Sequence, residues 1–111
     1  MDASLSALSP VDGRYRAATE GLAKLLSEAG LTCERVRVEA LWLQELADTL
    51  PTPAARELSA AVKRRLESLA TDPGENCAPA VKDIERRINH DVKAVEYFVR
   101  DELKAAGVAP E

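Results

Sequence analysis

Two short polar groups in this sequence have residue types and spacing that suit the binding of an anion. The first is SPVDGRY at residues 9–15, where an Asp-Gly turn precedes Arg14 and Tyr15. Glycine permits a close approach of the backbone to a ligand, and a guanidinium can bind a phosphate through two parallel hydrogen bonds. Arg14 could therefore bind a phosphate, with the Tyr15 hydroxyl and ring beside it. The alternative is that Arg14 is an ordinary surface arginine.

The second group is Asn89, His90 and Asp91, which separates two apolar halves of a helical stretch. His90 is the only histidine, so no other side chain has an unperturbed titration near neutrality. The free N–H groups and the dipole of a helix start favour an anion, which would make this group a second polar cluster of a binding site. The alternative is a capping or interhelical histidine bonded to a nearby carbonyl, and the residues alone leave both open.

Apolar residues at three- and four-residue steps predict the helices that position these groups. A first helix over about residues 16–29 carries an apolar stripe and is predicted to end at Gly30 in the left-handed conformation. A second helix runs from about residue 32 to Leu50, before Pro51, and we expect its Trp42 to lie in the core.

Prolines, glycines and capping residues predict where the remaining helices begin and end. Thr52 and Pro53 are typical of a helix start, so a third helix is predicted from there through the apolar stripe that begins at Leu58. The stretch over residues 78–107 is helical in spacing but is expected to break at Asn89–Asp91, where a fifth helix would begin. Gly107 and Pro110 are predicted to end it.

Length and composition predict one domain with a helical core. The chain has 111 residues, which suffice for one domain and are too few for two. It is 46% hydrophobic with only 4% aromatic residues, so the core must consist of aliphatic side chains, which favour packed helices over a sheet. We therefore predict an all-α fold of about four to five helices, without a sheet, forming a single helical domain over residues 1–111.

Charge and hydropathy exclude several classes of partner. A formal net charge of −4 argues against nucleic acid, whose binding needs a clustered basic surface. No apolar run approaches the ~20 residues of a membrane span, and no signal peptide is evident, so a cytoplasmic location without membrane partners is expected. Cys33 and Cys77 are far apart in sequence and have one histidine to join them, so we interpret them as reduced thiols and expect no metal site.

The two polar motifs together carry a family resemblance. LSALSPVDGRY and INHDVKAVEYF resemble the amino-terminal region of the adenylosuccinate lyase family, of the bacterial purine-synthesis type, within the fumarase and aspartase superfamily. The resemblance covers almost the whole chain, although Arg87 and Ile88 stand where the family pattern would have threonines. It implies that Arg14, Tyr15, Asn89, His90 and Asp91 line the nucleotide side of a substrate pocket, with Arg14 holding the phosphate.

The resemblance also implies a reaction. The family cleaves adenylosuccinate to AMP and fumarate, and the succinyl-carboxamide ribotide likewise, by β-elimination without a cofactor. Its general acid is a histidine of a later segment and its general base a serine on a mobile loop, and neither segment occurs in this chain. We therefore expect no catalytic residue here, an amino-terminal domain that is inactive alone, and a full-length homotetramer.

The alternative, which belongs to a different functional class, is a free-standing helical protein-interaction module that derives from the lyase. Its helices would bury apolar stripes against a partner protein. A related hypothesis is that a stripe on the fourth or fifth helix is exposed in the isolated chain, where it would face segments of the longer enzyme.

Overall fold

The computed structural model describes residues 3–50 and 58–107, which divide between two compact units, residues 1–31 and 32–111. These described residues contain no strand, which confirms the predicted all-α class. The single domain over residues 1–111 stays a prediction. The helices are α1 (Arg16–Leu26), α2 (Glu28–Thr49), α3 (Ala60–Thr71), α4 (Cys77–Ile88) and α5 (Asp91–Ala105).

Helix α1, in the first unit, buries none of its residues. Its apolar stripe is largely exposed: Leu22 at 58%, Leu25 at 64% and Leu26 at 79%. The predicted stripe is therefore present on this helix, but it is not buried. Periodicity shows which residues share a face of a helix, but not whether another element covers that face.

The boundary between α1 and α2 also differs from the prediction. Ser27, with an extended backbone, ends α1 three residues early, and Gly30 lies inside α2 without a positive φ. A Cβ atom on Gly30 would lie 2.6 Å from the carbonyl oxygens of Lys24 and Leu25. Glycine is therefore needed for a close backbone approach at this junction, and not for a left-handed helix end.

The second unit contains the hydrophobic core. Helices α4 and α5 bury their stripes, so the hypothesis of an exposed stripe on the fourth or fifth helix is wrong. The core is aliphatic, as the composition predicts, apart from Phe98 and Cys77. Its buried residues are Val36, Ala40, Val62, Leu66, Leu69, Ala70, Cys77, Val81, Ile84, Ala94, Val95, Phe98, Val99 and Leu103.

Trp42 lies outside this core, with 57% of its surface exposed, which corrects the prediction from sequence. The face that α2 buries runs through Val36 and Ala40. Two further residues turn an α-helix by about 200°, which places Trp42 on the opposite side from Ala40.

Polar contacts also join the helices of the second unit. The Arg37 Nε donates to the Ala70 carbonyl at 3.1 Å, which satisfies an acceptor in the last turn of α3. Arg65 of α3 forms a half-buried ion pair with Glu102 of α5. Along the described ranges, no helix is long and apolar enough to cross a membrane.

The start of α3 has its own cap. Ser59 Oγ accepts from the Val62 N–H at 3.2 Å, and Leu58 precedes the helix, half-buried against the core. The predicted start at Thr52 and Pro53 lies outside the described residues. The prediction that this helix includes Leu58 is wrong, because Leu58 and Ser59 are not helical and Ser59 caps a helix that begins at Ala60. Helix α5 ends before Gly107, whose φ is 119°. This positive φ agrees with the prediction that Gly107 ends the helix.

Candidate functional site

Arg14 and Tyr15 form a stacked pair in the turn that leads into α1. The Tyr15 N–H donates to the Pro10 carbonyl at 2.9 Å, which closes the turn. The Arg14 Nη2 donates to the Tyr15 hydroxyl at 2.6 Å, and its guanidinium carbon lies 4.6 Å from the ring centroid. A cation over an aromatic face is held in place by the ring quadrupole. The turn therefore presents an ordered guanidinium on an exposed surface.

Gly13 makes this turn possible through contact with the chain itself. It is buried, and a Cβ atom there would lie 2.5 Å from the Ser4 carbonyl oxygen and 3.2 Å from the Ala7 Cβ. The close approach that the sequence suggested for a ligand is made here by the chain's own backbone. An alanine at this position would force the segment around Ser4 away from the turn.

Asn89 and His90 separate α4 from α5, which confirms the predicted break. Asn89 is left-handed, with φ 56° and ψ 39°, and ends α4. His90 is extended, and its Nδ1 accepts from the Lys93 N–H at 3.1 Å, so the histidine itself caps α5. The capping interpretation of His90 is therefore confirmed, except that its partner is an N–H group and not a carbonyl. An accepting Nδ1 carries no proton, which leaves the proton of the neutral ring on Nε2.

The first turn of α5 already has a carboxylate of its own. Asp91 Oδ1 accepts from the Val92 N–H at 2.8 Å, and this hydrogen bond, with the nearby Arg35 guanidinium, lowers the pKa of Asp91. The N–H groups of Val92 and Lys93 are thus both occupied by side chains of the chain itself. A ligand at this junction would meet the side chains of Asn89 and His90 instead of free backbone donors.

Arg35 is a member of this cluster that the sequence did not indicate. Its Nη1 lies 3.2 Å from Asp91 Oδ2, and it comes from α2, 56 residues earlier in the chain. No local pattern connects the two positions, since only the packing of α2 in the second unit brings them together. The cluster therefore consists of Arg35, Asn89, His90 and Asp91.

The predicted site residues thus fall into two groups that belong to different units. Arg14 and Tyr15 are in contact in the first unit, and Asn89, His90 and Asp91 are consecutive at one helix junction in the second. Their convergence on one substrate stays a prediction. Along the described ranges, no three His, Cys, Asp or Glu residues lie in an arrangement that could hold a metal ion.

The chain is helical, with one polar motif in the turn before α1 and the other at the break between α4 and α5. Searched against family models, the chain matches none. It is similar to proteins named adenylosuccinate lyase. The identities are 44% with that of Vibrio cholerae over 92% of this chain, 42% with that of Haemophilus influenzae over 91%, and 42% with that of Escherichia coli over 90%.

These comparisons confirm the resemblance that the motifs carried. In each case the matched region is 22% of the relative, so the chain spans about a fifth of the length of the curated proteins that it matches.

Proposed function

We propose that this chain is the nucleotide-binding amino-terminal part of an adenylosuccinate lyase. The observation that carries the proposal is the similarity to three such enzymes over at least 90% of the chain. The whole enzyme would cleave adenylosuccinate to AMP and fumarate, and the succinyl-carboxamide ribotide to its carboxamide ribotide and fumarate. It would act as a homotetramer in the cytoplasm, without a cofactor.

Arg14 would hold the phosphate of the nucleotide. The hydrogen bond and ring contact with Tyr15 use one edge and one face of its guanidinium, which leaves further N–H donors for phosphate oxygens. A guanidinium that is already ordered loses less conformational entropy when it binds. Tyr15 would therefore assist mainly by orienting Arg14.

Asn89, His90 and Asp91 would line the same pocket from the start of α5. His90 offers its Nε2–H as a donor while Nδ1 holds the helix cap, and Asn89 offers an amide on an exposed left-handed residue. Arg35 would fix the orientation of Asp91 through their ion pair. The group would position the substrate and would take no part in proton transfer.

The chemical step would need groups from outside this chain. A β-elimination requires one group that removes a proton from carbon and another that protonates the leaving nitrogen. The proposed roles of residues 1–111 are in binding only, so we expect the isolated chain to have no lyase activity.

The test is a chimera in which these 111 residues replace the matching fifth of the Escherichia coli enzyme. Loss of adenylosuccinate absorbance is measured for the chimera, for the isolated chain, and for chimeras carrying Arg14→Ala or Arg64→Ala. Arg64 is a matched control, since it is an exposed arginine on α3 outside both groups. We expect an active chimera, a silent chain, and a KM raised roughly 10- to 100-fold by Arg14→Ala, with a smaller change in kcat.

Two results would contradict the proposal in different ways. A folded, tetrameric but inactive chimera would show that this chain does not supply a working nucleotide site. An active chimera whose KM is equally insensitive to Arg14→Ala and Arg64→Ala would keep the lyase assignment and remove Arg14 from the phosphate site.

A second candidate is a protein-interaction module derived from the lyase. The exposed leucines of α1 favour it, because large apolar side chains that share an exposed helical face are typical of surfaces that bind a partner. The chimera discriminates between the two candidates: a module that has lost the enzymatic role would give no active chimera.

A further inference from the structure

The first unit contains almost no buried residues. Within its described part, residues 3–31, only Gly13 and Gly30 are buried. The leucines and the valine of this part are all exposed: Leu5, Leu8, Val11, Leu22, Leu25, Leu26 and Leu31. Ordering a segment of chain costs conformational entropy, which buried apolar surface must offset. A surface from elsewhere is therefore needed to cover these side chains.

The exposed leucines of α1 share one side of the helix. Leu22, Leu25 and Leu26 lie at three- and four-residue steps, whereas Glu20 and Lys24 lie on the other side. An 11-residue helix is only marginally stable in water without packing against another element. The pattern of α1 is therefore that of a helix with one side to bury, although α1 buries none of its residues here.

An open apolar groove continues this side of α1 into the turn that carries Arg14. Val11 of the turn and Leu22 and Leu26 of the helix are among the residues that line it. The turn is tied to the helix, because the Thr19 hydroxyl donates to the Val11 carbonyl at 3.2 Å. A surface that covers the groove therefore also fixes the position of the Arg14 guanidinium.

The α1 face is defined by its four apolar residues, Val11, Leu22, Leu25 and Leu26. We propose that the α1 face docks against an aliphatic surface in the remaining four-fifths of the lyase polypeptide, and that this docking positions Arg14 for the phosphate. The inference rests on the proposed function, under which this chain supplies about a fifth of the enzyme.

The size of the α1 face favours a segment of the same polypeptide over a second copy of the chain. Its four side chains, at 58% to 79% exposure, present on the order of 400 Å² of apolar surface. Each partner of a stable complex buries about 800 Å², roughly twice as much. A segment linked through the polypeptide needs less area, because the link raises its effective concentration. We therefore expect the isolated chain to be a monomer.

The first measurement compares amide hydrogen exchange over Arg16–Leu26 in the isolated chain and in the chimera with the Escherichia coli enzyme. We expect weak protection of α1 in the isolated chain and at least about 10-fold more in the chimera, since docking suppresses local opening. This readout needs no lyase activity. A folded but inactive chimera would therefore contradict the proposed function and leave the docking to be decided by exchange.

The second measurement tests whether docking positions Arg14. Leu22→Ser in the chimera should raise KM roughly 5- to 30-fold with a smaller change in kcat, because a polar side chain weakens the docking. Lys24→Ser is the matched control, since it introduces the same residue on the exposed opposite side of α1. Leu22→Met keeps the apolar volume and should restore most of the parental KM.

The proposal is overturned by any of three outcomes. Equal protection of α1 in the isolated chain and the folded chimera would leave the α1 face free for a separate partner protein. Equal KM values for Leu22→Ser and Lys24→Ser would remove the link between docking and Arg14. A stable dimer of the isolated chain that Leu22→Ser dissociates would make a second copy the occupant. Size-exclusion chromatography with light scattering detects that dimer without any need for the chimera.

Discussion

Helices α1 and α5 carry comparable apolar stripes, but α5 buries its stripe whereas α1 leaves its stripe exposed. Helix α5 buries five residues, with Val95 at 3% and Val99 at 4% exposure, whereas α1 buries none. Both sequences repeat apolar residues at helical spacing. The difference lies in what each helix packs against, because α5 shares a core with α3 and α4 in the second unit.

The same contrast extends to the polar groups at the two helix starts. His90 caps α5 through a side-chain hydrogen bond, whereas Tyr15 at the start of α1 makes none to the helix. Tyr15 instead accepts a hydrogen bond from Arg14. The start of α5 thus uses the His90 side chain as a helix cap, whereas Arg14 and Tyr15 at the start of α1 stay exposed on the surface.

The largest expected effect is the difference in stability between two variants that each truncate one leucine, one in each unit. Leu69→Ala in α3, where the side chain is 0% exposed, should lower the free energy of unfolding by about 3 kcal/mol, since it removes buried surface and leaves a cavity. Leu25→Ala, at 64% exposure, should change it by less than about 0.5 kcal/mol. Urea unfolding followed by circular dichroism measures both, and equal losses would remove the contrast between the units.

Two glycine substitutions in the first unit are expected to change its local stability in opposite directions. Gly13→Ala should cost about 1–3 kcal/mol locally, because its Cβ would lie 2.5 Å from the Ser4 carbonyl oxygen. Gly21→Ala, with nothing within 4 Å of its Cβ, should stabilise α1 by about 0.5–1 kcal/mol. Amide hydrogen exchange over residues 4–26 reports both changes. Unaltered exchange in Gly13→Ala would show that the turn is not packed as described.

The histidine cap should have a moderate effect. His90→Ala should lower the stability of the second unit by about 1 kcal/mol, since the Lys93 N–H loses its acceptor. His90→Ser should recover most of the loss, because a serine oxygen is a preferred cap acceptor. Thermal unfolding of the two variants beside the parent chain makes the comparison. If serine and alanine prove equally destabilising, the capping role of the ring nitrogen is wrong.

The smallest expected effect is the pH dependence that Asp91 contributes. Its pKa is lowered in the folded chain by the Val92 N–H and then by Arg35, so its contribution is complete above the ordinary value of about 4. The contribution is lost as the pH falls through the lower folded pKa. Asp91→Asn should therefore be less stable than the parent near about pH 6, with the difference vanishing in strong acid. A constant difference across this range would contradict the assignment.

The helices and their break were largely predictable from local sequence. The stripe of α5, the stop at Asn89 and the final glycine at Gly107 all follow from short-range spacing and backbone preference. Gly30 was misassigned, because glycine permits both a left-handed helix end and a close backbone contact, and the local sequence does not distinguish the two.

The candidate site was predictable to a different degree in each group. Arg14 and Tyr15 are adjacent in sequence, so their pairing needs only the local turn. Arg35 could not be predicted to join Asp91, because the pair depends on how α2 packs in the second unit.

The sequence by itself determined the helical class, the break at Asn89–Asp91 and the family resemblance, since these depend on composition, on short-range spacing and on motifs that need no knowledge of which surfaces meet. Only the tertiary structure decided that the stripe of α1 stays exposed and that Trp42 lies outside the core. The physical reason is that burial depends on which surfaces meet, and helical periodicity gives the direction of a side chain without naming its neighbour.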